Sequence, residues 1–259
     1  MAKDNSISAV IIAKNEEKNI ERCLDSLEGV ADEIIVVDSY SEDNTPKICA
    51  ERKVRFIQTK WMGYSETKNY ANSFAQSSYI LSLDADEALS EELQAEIIEM
   101  KSNGFAEEAY RIKRLTNYCG KWIHHCGWYP DWKLRLWKKD KGQWEGEIHE
   151  KIQFTGSAPI GKLKNDMLHY SYYSINDHIR QMISFTDLMA KDYYQKNKQI
   201  GIGKLIFSPI VKFFRAYFLL GGFRDGFYGF VICTLSGMAT FLKYSKAIQL
   251  KKSENQSIN

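Results

Sequence analysis

Three apolar runs in the first third of the chain each end on a polar turn. Residues 7–13 run into Lys14-Asn15-Glu16, residues 33–37 end on Asp38, and residues 79–83 end on Asp84-Ala85-Asp86-Glu87. Helical signals separate them. Ile20, Cys23, Leu24 and Leu27 recur at i, i+3, i+4 and i+7, and Asn15-Glu16-Glu17 reads as an N-cap with an acidic first turn. Thr45-Pro46 predicts the N-cap and first turn of a helix through Arg52, residues 54–57 a third strand, and residues 66–76 a further helix. Ser90 is suited to cap a helix that reaches about Asn103. Strands alternating with helices over short connections imply an α/β fold with a mostly parallel central sheet flanked by helices.

Such sheets bind ligands beyond the carboxyl ends of their strands. In extended chain, residues i and i+2 point the same way, so Asp84 and Asp86 can face one ligand. Carboxylates are hard oxygen ligands for Mg²⁺ or Mn²⁺, and such ions usually hold substrate phosphates as well. Taken alone, the pair fits a solvated turn equally well. The other strand ends, with Asn15 and Glu16 on one and Asp38, Ser41 and Asp43 on the next, favour a shared site. No G-x-G-x-x-G and no G-x-x-x-x-G-K-[ST] is present, so phosphate charge falls to a metal and to Lys68.

After Gly104 the pattern changes. Residues 110–115, 118–123, 133–138 and 149–154 read as short strands between Gly and Pro turns, and 175–197 returns to helical spacing. Across 259 residues, 35 Lys and Arg face 33 Asp and Glu, a net charge of +2 that creates no field for nucleic acid. Five cysteines without a C-x-x-C pair point to a reducing cytosol. The run from Cys119 through His124 and His125 to Cys126 matches no standard structural zinc spacing.

Residues 200–250 differ again. Asp225 is their only acid, while Lys204, Lys212, Arg215 and Arg224 punctuate apolar residues such as Phe207, Phe213, Phe214 and Phe218. Residues 226–242 carry no formal charge, a stretch shorter than the roughly 20 residues a spanning helix needs. A basic, aromatic stretch of this kind suits an anionic membrane surface; packing on the core and a homodimer interface are the alternatives.

The segments Ile7-Ser-Ala-Val-Ile-Ile-Ala-Lys14-Asn15-Glu16, Val36-Val-Asp38-Ser-Tyr-Ser41-Glu-Asp43-Asn-Thr45, Lys68-Asn69 and Leu83-Asp84-Ala-Asp86-Glu87 resemble, in order, the motifs of family 2 glycosyltransferases. Trp132-Lys-Leu-Arg135-Leu-Trp137, Trp144-Glu145-Gly-Glu147-Ile-His149-Glu150 and the Phe-rich tail resemble a narrower branch, which holds bacterial lipopolysaccharide-core glucosyltransferases. The resemblance implies a GT-A fold, a nucleotide-diphosphate sugar donor (a UDP-sugar first), a divalent cation, Mg²⁺ or Mn²⁺, and inversion at the anomeric carbon. The resemblance covers about residues 6–155; together with the changes of composition along the chain it gives a catalytic domain over 1–198, a membrane-associating or dimerising extension over 199–250 and a disordered tail over 251–259. Within the domain, 1–104 binds the donor and 105–198 forms the acceptor side.

The roles it implies follow residue by residue. Asn15, Glu16, Asp38, Ser41, Lys68 and Asp84 bind the donor, with Asp38 on the nucleobase and Asp84 on the ribose or the water shell of the metal. Asp86 ligates the metal, with His149 as a further ligand. Inversion needs a carboxylate to deprotonate the acceptor hydroxyl: Glu150 is the first candidate and Glu147 the second. His169 reads as a structural histidine, and Trp128, Trp132 and Trp144 as either core or sugar platform. The acceptor implied is a lipid-linked or lipopolysaccharide-core glycan at the cytoplasmic face of the inner membrane. An exopolysaccharide or peptide acceptor and a catalytically silent scaffold are the alternatives.

Overall fold

The structure, a computed structural model, describes residues 5–146, 150–155, 159–196 and 199–257. The chain forms two compact units, one of residues up to Leu115 with Asp131–Tyr170, the other of Thr116–Pro130 with residues from Ser171 onward. In chain order the elements are β1 (Ile7–Ala13), α1 (Ile20–Asp25), β2 (Glu33–Asp38), α2 (Thr45–Ala50), β3 (Arg55–Gln58), α3 (Tyr64–Asn72), β4 (Tyr79–Asp84), β5 (Glu87–Leu89) and α4 (Glu91–Asn103). The strands β6 (Ala109–Tyr118), β7 (Lys121–Ile123), β8 (Asp131–Lys138), β9 (Gly142–Glu145), β10 (Lys151–Phe154) and β11 (Ile160–Tyr172) follow, then α5 (Ile175–Gln195), α6 (Ile202–Phe214) and α7 (Gly226–Ser257).

The fold of the first unit is α/β. Its strands run in the order β3-β2-β1-β4-β8-β6-β11-β5, with β3, β2, β1 and β4 parallel and β8 joining β4 antiparallel. Every residue of β1 is buried, as an uninterrupted apolar strand at the centre of a sheet must be. Its odd residues, Ile7, Ala9, Ile11 and Ala13, share one core with Leu24 of α1 and Leu93 and Ile97 of α4. Its even residues Val10 and Ile12 share the other with Ala71 of α3, Trp137 and Trp144. The period of two thus places helices on both faces. The Trp indoles named as possible sugar platforms divide: Trp144 is core here, and Trp128 packs into the core of the other unit.

Local signals met the structure unevenly. The predicted stripe is buried at Ile20, Cys23, Leu24 and Leu27, and the Ser90 hydroxyl accepts from Leu93 N at the start of α4. Asn15 does not cap α1, whose N-cap is Asn19, and α2 begins at Thr45 after Asn44. The turns after β1 and β2 hold each other instead, and that cross-bonding takes the place of helix capping.

In the second unit, the end of β6 pairs with β7, and Tyr118 lies at the centre of an aromatic core with Trp128, Tyr172 and Tyr228. The Tyr118 hydroxyl and His178 Nδ1 are 3.0 Å apart, and burial lowers the imidazole to about 4. Asp225 is buried, accepts from His125 N at 2.8 Å and lies 2.9 Å from His125 Nδ1. Gly229 must be glycine, because a Cβ there would lie 1.9 Å from the Gly222 carbonyl oxygen. α7 is 32 residues long and continues past Lys251, where a disordered tail was expected, as far as Ser257. The stretch Gly222–Ser253 is long and apolar enough to cross a membrane, whereas the uncharged residues 226–242 alone suggested a shorter element.

Candidate active site

Parallel register assembles the site. Ala13 of β1 pairs with Asp38 of β2, and Ile12 pairs with Asp84 of β4, so three strand ends finish at one level. The turn after β1 is left-handed at Asn15, with φ +56°. Asn is one of the few L-residues that tolerates this. Asn15 N donates to Ser41 Oγ at 2.7 Å, and Asn15 Oδ1 accepts from Glu42 N at 2.9 Å. Tyr40 is also left-handed at φ +56°, strained for a bulky residue, and its carbonyl accepts from Lys14 Nζ.

Asp38 is fully buried and accepts from Ser41 N at 2.9 Å, from the Ser41 hydroxyl and from Gln58 Nε2 at 3.1 Å. Its carboxylate therefore shapes the loop that carries Ser41.

Asp84 stands between two cations. Lys68 Nζ is 2.8 Å from Oδ1 and Arg135 Nη2 is 2.7 Å from Oδ2. Burial alone raises this carboxyl, but Arg135 and Lys68 outweigh it and hold it well below the usual carboxylate range. Arg135 also binds Glu87 Oε1 at 2.6 Å, and the Glu87 side chain is wholly buried. Arg114 approaches Glu87 at 3.4 Å and anchors on Asp131 at 2.7 Å. Lys68 Nζ is also 3.1 Å from Glu150 Oε2, which is buried and accepts no aligned hydrogen bond among the described residues. Asn69, next to Lys68, donates to Trp144 O at 2.8 Å and accepts from Trp144 N at 2.9 Å, fixing α3 against β9.

Asp86 lies just past β4. Antiparallel pairing of β11 with β5 sets His169 opposite Glu87, and His169 Nε2 lies 3.1 Å from Asp86 Oδ2. Tyr170 N donates to Asp86 O at 2.9 Å. His169, read as structural from sequence, thus stands at the site. The Asp86 carboxylate is a hard oxygen donor that suits Mn²⁺ or Mg²⁺, the His169 imidazole suits them less well, and no group of three such side chains occurs among the described residues. Glu147 and His149 lie outside the described residues.

The surroundings of Asp86 are electronegative, and Glu16 reports it. Burial raises its carboxyl to about 7; the Asn19 amide opposes this, and Asp86, Asp43 and Asp84 add to it. Because the folded value lies above 4.5, Glu16 favours the folded state below about pH 4.5 and loses that contribution as pH rises to 7. Urea unfolding of Glu16→Gln is expected to show a gain over the native protein that grows by about 2 kcal/mol between pH 5 and 8. A pH-independent difference would contradict the burial of the Glu16 carboxyl among its acidic neighbours.

Arg135, Arg114 and His169 are site residues that sequence reasoning missed. Arg135 falls inside a motif segment, but its partners are 48 and 51 residues away and carry no local signal.

The chain has relatives among known proteins. The chain is 34% identical to an uncharacterized glycosyltransferase of Rickettsia typhi, over 96% of this chain and 89% of that one. It is 29% identical to the lipopolysaccharide core biosynthesis glycosyltransferase LpsC of Rhizobium meliloti, over 94% and 92%. The crystal structure of S. aureus TarS 1–349 in complex with UDP-GlcNAc aligns with a TM-score of 0.47 at 13% identity, covering 97% of this chain and 92% of that one. The family description "Glycosyl transferase family 2" matches residues 8–150, which hold the three coplanar strand ends, Asp84, Asp86 and Glu150, and the chain belongs to that family.

Proposed function

We propose that this glycosyltransferase moves a hexose, glucose first, from a UDP-sugar to a lipid-linked glycan of the lipopolysaccharide core, with inversion. The observation that carries the reading is the joining of Asp84 to Glu150 through Lys68, with Asp86 and His169 next to that pair in sequence and strand register. The relationship to LpsC over nearly its whole length supports the acceptor class.

Each residue has a physical task. Asn15 and Ser41 form a rigid turn against the nucleotide, with Asp38 as its buried support. Asp84, held by Lys68 and Arg135, positions the turn that carries Asp86. Asp86 and His169 would hold Mg²⁺ or Mn²⁺, whose remaining positions suit diphosphate oxygens and water, and the ion would offset charge on the departing diphosphate. Glu150 takes the proton as the acceptor oxygen attacks the anomeric carbon from the face opposite the leaving group. The exposed apolar residues of α6 support peripheral attachment to the cytoplasmic face of the inner membrane.

The test is transfer from UDP-glucose to a truncated lipopolysaccharide core, with exopolysaccharide intermediates and peptides as rival acceptors. Glu150→Gln should lower kcat about 10²- to 10⁴-fold with little change in donor KM. An unaltered kcat would remove Glu150 as the base, and turnover on a rival acceptor alone would overturn the acceptor class. Donor binding without turnover on any acceptor would favour the scaffold alternative.

A further inference from the structure

The second unit displays large apolar side chains to solvent along two stripes. On α6, Ile202, Ile206, Phe207, Ile210 and Phe214 are all about half or more exposed. On α7, Phe227, Phe230, Met238 and Phe241 recur on one face and are likewise exposed. A contiguous apolar display of this extent marks an interaction surface.

An open groove of about 440 Å³ lies between these helices, and Phe207 and Val211 form its apolar edge. Lys204, Lys212, Arg215 and Lys243 line it, and Ser208 and Thr240 add hydroxyls. No carboxylate lines the groove, and none of the four cations forms an ion pair among the described residues. Lys243 Nζ rests 4.4 Å from the Tyr244 ring centroid and 5.0 Å from that of Tyr193, while Lys204 Nζ is 5.3 Å from the Tyr244 ring, so two of the cations are steadied by aromatic faces. Asp225, the one acid between residues 200 and 250, is buried against His125 and cannot neutralise them.

Four like charges in so small a space repel, and an anion that several of them contact relieves the repulsion. Arg offers a planar fork for phosphate oxygens and Lys a point charge. Phe207, shared by the groove and the exposed stripe, and the exposed Val211 beside it join phosphate chemistry to acyl-chain chemistry. A second copy of the chain is a poorer occupant, since two-fold apposition sets the same uncompensated cations face to face.

We propose that the groove between α6 and α7 binds the phosphate-bearing headgroup of an anionic membrane lipid, whose acyl chains lie against the exposed stripes. The proposal deepens the peripheral-attachment reading and is independent of the transfer chemistry.

Vesicle sedimentation of the full chain tests it, with no donor or metal present, so that its failure leaves the transferase reading untouched. Vesicles of phosphatidylcholine are compared with vesicles that also contain phosphatidylglycerol. Lys212→Gln/Arg215→Gln and Lys204→Gln/Lys243→Gln should each lose about tenfold or more in affinity for the anionic vesicles, at about fivefold per cation. Circular dichroism should show both variants folded as the native chain. Lys191→Gln/Lys252→Gln removes the same charge away from the groove and should cost much less. Equal loss in that control would reduce the effect to general attraction and overturn the groove. Phe207→Ser should weaken binding to both vesicle types; unchanged binding would overturn the acyl-chain contact. Thermal protection by inorganic diphosphate, with vesicle binding indifferent to lipid charge, would assign the groove to a soluble anion. A lipid-free dimer that the groove substitutions abolish would assign the face to a second copy. Either outcome overturns the proposal.

Discussion

Replacing Arg135 by Met is expected to cost the folded protein about 3–5 kcal/mol, the range for removing one partner of a buried ion pair. The Arg135 side chain is 4% exposed and lies 2.6 Å from Glu87 and 2.7 Å from Asp84. Glu87 has no exposed side-chain surface, so its charge cannot turn to water. Arg114, 3.4 Å away, is the remaining cation at Glu87, and Lys68 remains for Asp84, so the loss falls mainly on Glu87. Met restores much of the volume, which separates the charge effect from a cavity. Urea unfolding at pH 7 measures the cost, and Arg135→Met/Glu87→Gln should recover a large part of it. A loss below about 1 kcal/mol, or no recovery in the double variant, would contradict this account.

Asp86→Asn is expected to lower sugar transfer about a thousandfold while leaving the unfolding midpoint within a few degrees. The substitution keeps the shape and removes the charge from the pair with His169. The Asp86 side chain is 24% exposed, so its folding role is smaller than that of Glu87. Higher Mn²⁺ should restore part of the rate, because a neutral amide oxygen is a weaker ligand than a carboxylate. Undiminished turnover would remove Asp86 from the metal role. Donor hydrolysis without acceptor should fall in parallel, since departure of the diphosphate is common to both reactions.

Much of the first unit was legible in sequence. β1, β2 and β4 are long apolar runs, and the stripe through Ile20 and Leu27 and the Ser90 cap are local patterns with local causes. β5, β9 and β11 were not legible. β11 buries only Leu163 and Met167 along its length, so its alternation is too sparse to separate from loop. β5 has three residues, and short strands exist only through their partners. The Asn15 reading failed because a side chain suited to capping found a better partner in the neighbouring turn.

The same division runs through the site. The sequence by itself determined the α/β class and the delivery of Asn15, Asp38, Asp84 and Asp86 to strand ends, because side-chain period and turn chemistry are properties of contiguous residues. Only the tertiary structure decided what those groups meet. His169 reaches Asp86 across 83 residues through the β11–β5 register, and Arg135 reaches Asp84 through β8 packed on β4. It also set the buried Asp38 against the Ser41 loop and joined Lys68 to Glu150. Charge partners in a low-dielectric interior are set by strand register and burial, and neither is encoded within any one segment.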